Sequence, residues 1–103
     1  MYPAEVEAVL TEHPSVARAG VVAAPDPVLG EIGMAFLVPT ESADPATLTA
    51  DEVRAWCRAR IADYKAPDRV IVVDDLPLTP MLKIDKAVLA EHAIAHLERE
   101  TNP

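Results

Sequence analysis

Ile32-Gly33-Met34-Ala35-Phe36-Leu37-Val38 carries no polar side chain. Successive side chains of a strand point to opposite faces, so Ile32, Met34, Phe36 and Val38 would line one face. Gly33, Ala35 and Leu37 would line the other. The composition and the bounding turn formers make this a strand. Just upstream, Pro25-Asp26-Pro27-Val28-Leu29-Gly30-Glu31 is rich in turn formers and reads as a loop. Ser15 to Ala24, rich in Val and Ala, reads as a second strand, with Gly20 marking a bulge or a close contact. The two strands are expected to pair as a hairpin with a long loop. Before them, Tyr2 to Leu10 reads as a short helix. Pro3 suits the first helical position, Glu5 and Glu7 favour the positive end of the helix dipole, and Val6, Val9 and Leu10 share one face. His13-Pro14 ends it.

Downstream of the central strand, Pro39 to Leu48 is a polar linker. Thr49-Ala50-Asp51-Glu52 matches a capping box, in which the Thr hydroxyl and the Glu carboxylate satisfy exposed helix N–H groups. Val53, Trp56, Cys57, Ile61 and Tyr64 follow at helical spacings and predict an amphipathic helix stopped by Pro67. Val70-Ile71-Val72-Val73 reads as a buried strand closed by Asp74-Asp75. Next comes Leu76-Pro77-Leu78-Thr79-Pro80-Met81-Leu82-Lys83-Ile84-Asp85-Lys86, where two prolines restrain a turn-like segment that presents a lysine. Asp85 can cap a final helix whose apolar stripe is Val88, Leu89, Ala93 and Leu97.

The element order is helix, strand, strand, helix, strand, helix. It predicts an α+β fold, a small mixed three-stranded sheet packed with about three helices, its strand–helix–strand crossover right-handed. The 103 residues suffice for one domain. The first helix begins with no leader before it, which leads us to expect a piece, residues 1–103, cut from a longer polypeptide.

Nine basic and seventeen acidic residues give a net charge of −8. That balance argues against non-specific binding to nucleic acid or to an anionic membrane surface. The basic residues that cluster in sequence, Arg54, Arg58, Arg60, Lys65 and Arg69, read first as a solvated helix face. Cys57 is the single cysteine, so no internal disulfide can form, and its place beside Trp56 in a helical pattern marks a buried structural thiol. No apolar run approaches membrane-spanning length and no signal-peptide pattern opens the chain, so the cytoplasm is the expected location. Neither GxGxxG nor GxxxxGK[ST] occurs. His92 and His96 stand four apart on a helix without a third well-spaced ligand, so they read as exposed helix-face histidines and no metal site is assigned. No serine lies in a nucleophile elbow. A complete active site is not visible.

Several short segments in a fixed order nevertheless resemble one family. They are Tyr2-Pro3-Ala4-Glu5-Val6-Glu7, His13-Pro14-Ser15-Val16, Val21-Val22-Ala23-Ala24-Pro25-Asp26 with Gly30-Glu31, and Ala35-Phe36-Leu37-Val38. Tyr64-Lys65-Ala66-Pro67, Leu76-Pro77-Leu78-Thr79-Pro80 and Lys83-Ile84-Asp85-Lys86 complete the series. The chain is similar to the small C-terminal domain of the adenylate-forming (AMP-binding) superfamily, most of all that of fatty-acid and other acyl-CoA ligases. The resemblance implies a reaction in which a carboxylic acid and ATP give an acyl-adenylate, whose acyl group then passes to CoA. ATP and Mg²⁺ would be held mainly by a large N-terminal domain, and this piece alone would be inactive. Lys83 occupies the position of the family's adenylation lysine, whose ammonium can bind phosphoryl and carboxylate oxygens together.

The family usually has glycine just before that lysine; here it is Leu82. Lys86 is the second candidate, expected to face solvent. Tyr2, Pro3 and Glu5 belong to a loop and helix start that the resemblance places near the thioester-forming face. Glu5 and Glu7 themselves read more simply as helix-start carboxylates. Gly30 and Glu31 would form a turn or a docking loop, and Lys65, Arg58 and Arg69 could meet the phosphates of CoA. The competing expectation is a stand-alone α+β module that docks onto a partner adenylating domain or a carrier protein.

Overall fold

A computed structural model of the chain describes residues 3–61 and 66–101. Among these the elements run α1 (Pro3–Thr11), β1 (Val16–Asp26), β2 (Gly30–Pro39), a 3-10 turn (Pro45–Thr47), α2 (Ala50–Arg58), β3 (Arg69–Val72) and α3 (Lys86–Thr101). The sheet order is β1-β2-β3, with β1 and β2 antiparallel and β2 and β3 parallel. This is the mixed three-stranded α+β arrangement read from the sequence.

The central strand decides the packing. Residues 32–38 are all buried. Ile32, Met34, Phe36 and Val38 meet Leu89 and Ala93 of α3 and Leu76 on one face. Ala35 and Leu37 meet Val6 and Leu10 of α1 and Val53 and Cys57 of α2 on the other. Each fully buried side chain such as Met34 or Leu37 contributes roughly 1.5–3 kcal/mol, so a strand apolar on both faces demands cover on both. Gly20 allows the closest approach: a Cβ there would lie 2.7 Å from Leu89 Cδ2. The irregularity in β1 lies instead between Val16 and Arg18.

Four expectations need correction. The hairpin loop is short: β1 runs on to Asp26, which pairs with Gly30, and only residues 27–29 turn. Pro25 is tolerated because β1 is an edge strand, where a missing N–H leaves no ladder bond broken. The Asp26 carboxylate accepts the Val28 and Leu29 N–H groups at 3.0 and 2.8 Å, and Gly30 takes φ +83. Second, regular α2 ends at Arg58, short of Pro67, and Arg60 and Ile61 close the turn on the Cys57 carbonyl; Tyr64 lies outside the described residues. Third, β3 is a half-buried edge strand, since its outer side has no neighbour.

Fourth, only half of the capping box forms. Thr49 Oγ1 accepts the Glu52 N–H at 3.2 Å, but the Glu52 carboxylate turns to His13 Nε2 at 2.8 Å. Because His13 Nδ1 accepts the Ser15 N–H at 3.0 Å, the ring proton sits on Nε2 and donates to Glu52. The His13 ring also leans on Trp56 at 4.6 Å, and the Trp56 indole N–H reaches the Val9 carbonyl at 2.9 Å. These contacts lock α1 to α2.

Candidate functional site

The segment between β3 and α3 folds into a small protruding hairpin. Leu78 and Ile84 form an antiparallel bridge, and the Asp85 N–H donates to the Pro77 carbonyl at 2.8 Å. Further out, the Thr79 N–H donates to the Lys83 carbonyl at 2.7 Å, and the Leu82 N–H to the Thr79 carbonyl at 2.9 Å. The three-residue loop Pro80-Met81-Leu82 therefore closes on Lys83. Three-residue hairpin loops commonly end on a residue in the left-handed region. Here Leu82 fills that role at φ +63, the sole described non-glycine with positive φ. Glycine takes this conformation freely; leucine does not.

Both feet of the hairpin are fixed. Leu76 is buried in the α3-side core and Ile84 packs against it. Asp75 accepts the Leu76 N–H at 2.9 Å and pairs with Arg18 of β1 at 2.5 Å. On the other side Asp85 Oδ1 accepts the Val88 N–H at 3.2 Å, which caps α3 as expected. Lys83 is thus carried on a braced turn. Its side chain is exposed, and its ammonium has no partner among the described residues.

Lys86 corrects its expectation. It does not simply face solvent: its Nζ lies 2.9 Å from Glu7 Oε2 and 2.9 Å from the Val21 carbonyl oxygen. The same Glu7 oxygen accepts the Val21 N–H at 2.9 Å. Glu7, only 18% exposed, is therefore more than a helix-start carboxylate. The pair occupies both backbone groups of Val21 on the open edge of β1, and joins α1, β1 and the first turn of α3. A free strand edge invites pairing with another chain, and charged side chains placed across it prevent that. No sequence signal marks this clamp, because Glu7 and Lys86 lie in different elements at opposite ends of the chain.

The remaining residues singled out from the sequence are dispersed. Pro3 opens α1 and Glu5 lies exposed in its first turn. Gly30 and Glu31 sit exposed at the β1–β2 turn, where a Cβ on Gly30 would meet nothing within 4 Å; the glycine serves backbone conformation there. Arg58 is exposed in the last turn of α2. Arg69 opens β3 and contacts Glu100 of α3 at 3.4 Å. Tyr2 and Lys65 lie outside the described residues. The basic run is not one solvated face. Arg54 donates to the Pro67 carbonyl at 3.0 Å and also to that of Asp68, and Arg60 lies 3.2 Å from the centroid of Trp56. Cys57 is buried, and burial pushes its thiol pKa up against the opposing pull of Arg60; it fits a structural thiol. His92 is exposed, and His96 lies 3.4 Å from Glu100.

Comparison with known proteins places this geometry. The AMP-binding enzyme C-terminal domain matches residues 5–83. A 2-succinylbenzoate–CoA ligase of Bacillus velezensis is 44% identical over 91 residues, covering 88% of this chain and 18% of the ligase. Triostin synthetase I of Streptomyces triostinicus is 47% identical over 91 residues, covering 88% of this chain and 17% of the synthetase. Among solved structures, a fatty acyl CoA synthetase of Mycobacterium tuberculosis superposes with a TM-score of 0.82 at 37% identity, over 92% of this chain and 18% of that one. The chain therefore spans under a fifth of the length of these relatives.

Proposed function

This chain belongs to the AMP-binding enzyme C-terminal domain family, and from that premise we propose that it is the mobile C-terminal domain of an ATP-dependent acyl-CoA ligase. Lys83 is the residue it contributes to acyl-adenylate formation. In that step a carboxylate oxygen attacks the α-phosphorus of ATP, the bond to the bridging oxygen breaks, and pyrophosphate leaves. Negative charge is spread over the phosphoryl and carboxylate oxygens as they meet. A compact ammonium beside both stabilises the transition state more than either reactant alone. In the second step the thiol sulfur of CoA attacks the acyl carbonyl, its proton is lost, and AMP departs.

The observation that carries the reading is the braced hairpin. It holds Lys83 clear of every described anion of its own domain, where the neighbouring lysine is tied down. An unpaired ammonium on a rigid turn is free to bind oxygens supplied from elsewhere. Among the described residues no group of three His, Cys, Asp or Glu side chains converges, so Mg²⁺ would arrive with ATP on the large N-terminal domain. For the CoA step we assign Arg58, Arg69 and Lys65 to the phosphates. Arg69 would exchange its exposed contact with Glu100 for a phosphate oxygen, and such surface pairs are weak. The α1 start (Pro3, Glu5, with Tyr2 before it) and the Gly30-Glu31 turn are the surfaces assigned to domain docking in that step. No helix among the described residues is long and apolar enough to cross a membrane, and we place the enzyme in the cytoplasm.

The test is acid-dependent pyrophosphate–ATP exchange by the complete polypeptide, offered acetate, dodecanoate, ferulate and 2-succinylbenzoate. Lys83→Ala should lower the exchange rate by about 10²–10³-fold, the effect of deleting one charge-stabilising donor. An unchanged rate would remove Lys83 from the chemistry.

A further inference from the structure

Leu82 bears a strain that nothing among the described residues compensates. At φ +63 a leucine is held where glycine would rest without cost. Its side chain is 79% exposed, as is that of Met81 beside it, and neither belongs to either apolar cluster. The other exposed large apolar residues differ. Val28 and Leu29 occupy the β1–β2 turn, where Gly30 takes the positive φ, Leu78 is 39% exposed and held in the bridge to Ile84 at the base of the same hairpin, and Ile94 lies on the regular helix α3. Among the described residues, only at the lysine turn is a non-glycine positive φ combined with two adjacent side chains outside both apolar clusters. Strain that is uncompensated locally points to a contact made elsewhere.

Position identifies that contact. Met81 and Leu82 share one turn with Lys83, closed by the Thr79–Lys83 and Leu82–Thr79 hydrogen bonds. A surface that receives the ammonium therefore comes close to the two apolar side chains of the same turn. The relatives are more than five times as long as the stretch they share with this chain, so that surface lies on the large domain of the same polypeptide.

Resting on the adenylating function above, we propose that Met81 and Leu82 form a water seal. As Lys83 enters the adenylation site, the pair is buried against an apolar rim of the large domain and closes the site to solvent. The chemistry gives such a seal a use. Water attacking the acyl carbonyl carbon of the adenylate breaks its bond to the AMP oxygen. The free acid is regenerated, AMP and a proton are released, and the ATP is wasted. Excluding water prevents that side reaction.

The test uses the complete enzyme without CoA, with whichever of acetate, dodecanoate, ferulate and 2-succinylbenzoate drives exchange. AMP release is divided by the pyrophosphate exchange rate. In Met81→Gln/Leu82→Asn the side chains become polar while asparagine still accepts the left-handed backbone. The ratio should rise about tenfold, as expected when an ordered barrier to water is lost. Met81→Leu should keep the ratio of the unaltered enzyme. Both positions are exposed, so neither variant threatens folding. A ratio that does not move in the double variant overturns the seal. So does an unmoved ratio together with loss of a dimer in sedimentation, which would make the pair a self-contact. Failure of Lys83→Ala to slow exchange, or absence of exchange with every acid, would remove the adenylating reading and the seal with it. Loss of exchange in Lys83→Ala with an unmoved ratio in the double variant removes the seal alone.

Discussion

Position 82 offers a test in which the expected sign is the reverse of the ordinary one. Consider the pair Leu82→Ala and Leu82→Gly. Both delete a side chain that is already mostly in water, so the burial lost is nearly the same. At a position with ordinary φ, alanine is the more stable of the two by about 0.4–1 kcal/mol, because glycine leaves the unfolded chain more freedom. At φ +63 alanine also retains the left-handed penalty of about 1–2 kcal/mol, which glycine escapes. Setting mid-range values against each other leaves the glycine variant more stable than the alanine variant by about 0.8 kcal/mol. For a domain of this size that is a melting difference of roughly 3–6 °C. Thermal unfolding of this chain, followed by circular dichroism, reads it directly. If Leu82→Ala melts at or above Leu82→Gly, Leu82 is not held in the left-handed region and the strain argument at the lysine turn fails.

Other sites give independent tests. Gly20→Ala places a methyl 2.7 Å from Cδ2 of Leu89, a side chain only 1% exposed. It should cost about 1–3 kcal/mol in denaturant unfolding, and adding Leu89→Ala to the same chain should lose less than the two costs added, because truncating Leu89 makes room for the methyl and the methyl fills part of the cavity. Glu7→Ala leaves the Val21 N–H and the Lys86 ammonium without their shared oxygen. About 1–2 kcal/mol of stability should disappear, and self-association through the opened β1 edge should appear in sedimentation. Lys86→Met, which keeps the stem but not the charge, should lose less. Cys57 has a folded pKa above its unfolded one, so its contribution is fully present below 9.0 and is lost as the pH rises through the folded value. Urea midpoints measured from pH 8 upward should fall more steeply in the unaltered chain than in Cys57→Ala; parallel curves would show that burial does not hold the thiol protonated.

What was legible in the sequence was what repeats at short range. Residues 32–38 name their own faces because apolar side chains occupy both, and the structure divides them between two cores as the alternation requires. The cap at Asp85 and the close contact at Gly20 were legible for the same local reason. Pro25 misled the reading of the hairpin because proline marks a loop unless the strand is an edge, and edge position is a property of the sheet, not of the residue. Glu52 misled because a capping carboxylate and a histidine partner compete for the same oxygen, and His13 arrives only when α1 docks on α2. The positive φ at Leu82 was signalled only by the glycine that the family usually carries there; the leucine itself argues against it.

The two lysines of the 76–86 segment show why proximity in sequence says little about role. Lys86 lies in the first turn of α3, directly over the open edge of β1, where a carbonyl and a half-buried carboxylate wait for a cation. Lys83 lies across the cap, on a turn tied to the sheet through Leu76, Ile84 and the Asp75–Arg18 pair. The clamp at Lys86 therefore serves the free lysine as well as the edge. It ties the start of α3 to β1, Asp85 beside it caps the helix, and the Asp85 N–H closes the hairpin on Pro77. Three consecutive constraints thus run from the sheet edge to the turn that carries Lys83. Loosening the first should leave Lys83 chemically intact but badly aimed. In the complete enzyme Lys86→Met should then lower acid-dependent exchange by a smaller factor than Lys83→Ala, because a misplaced ammonium still neutralises charge part of the time. Equal losses would mean that Lys86 itself reaches the reacting oxygens, and an unaffected rate would mean that the hairpin is aimed by its own two feet.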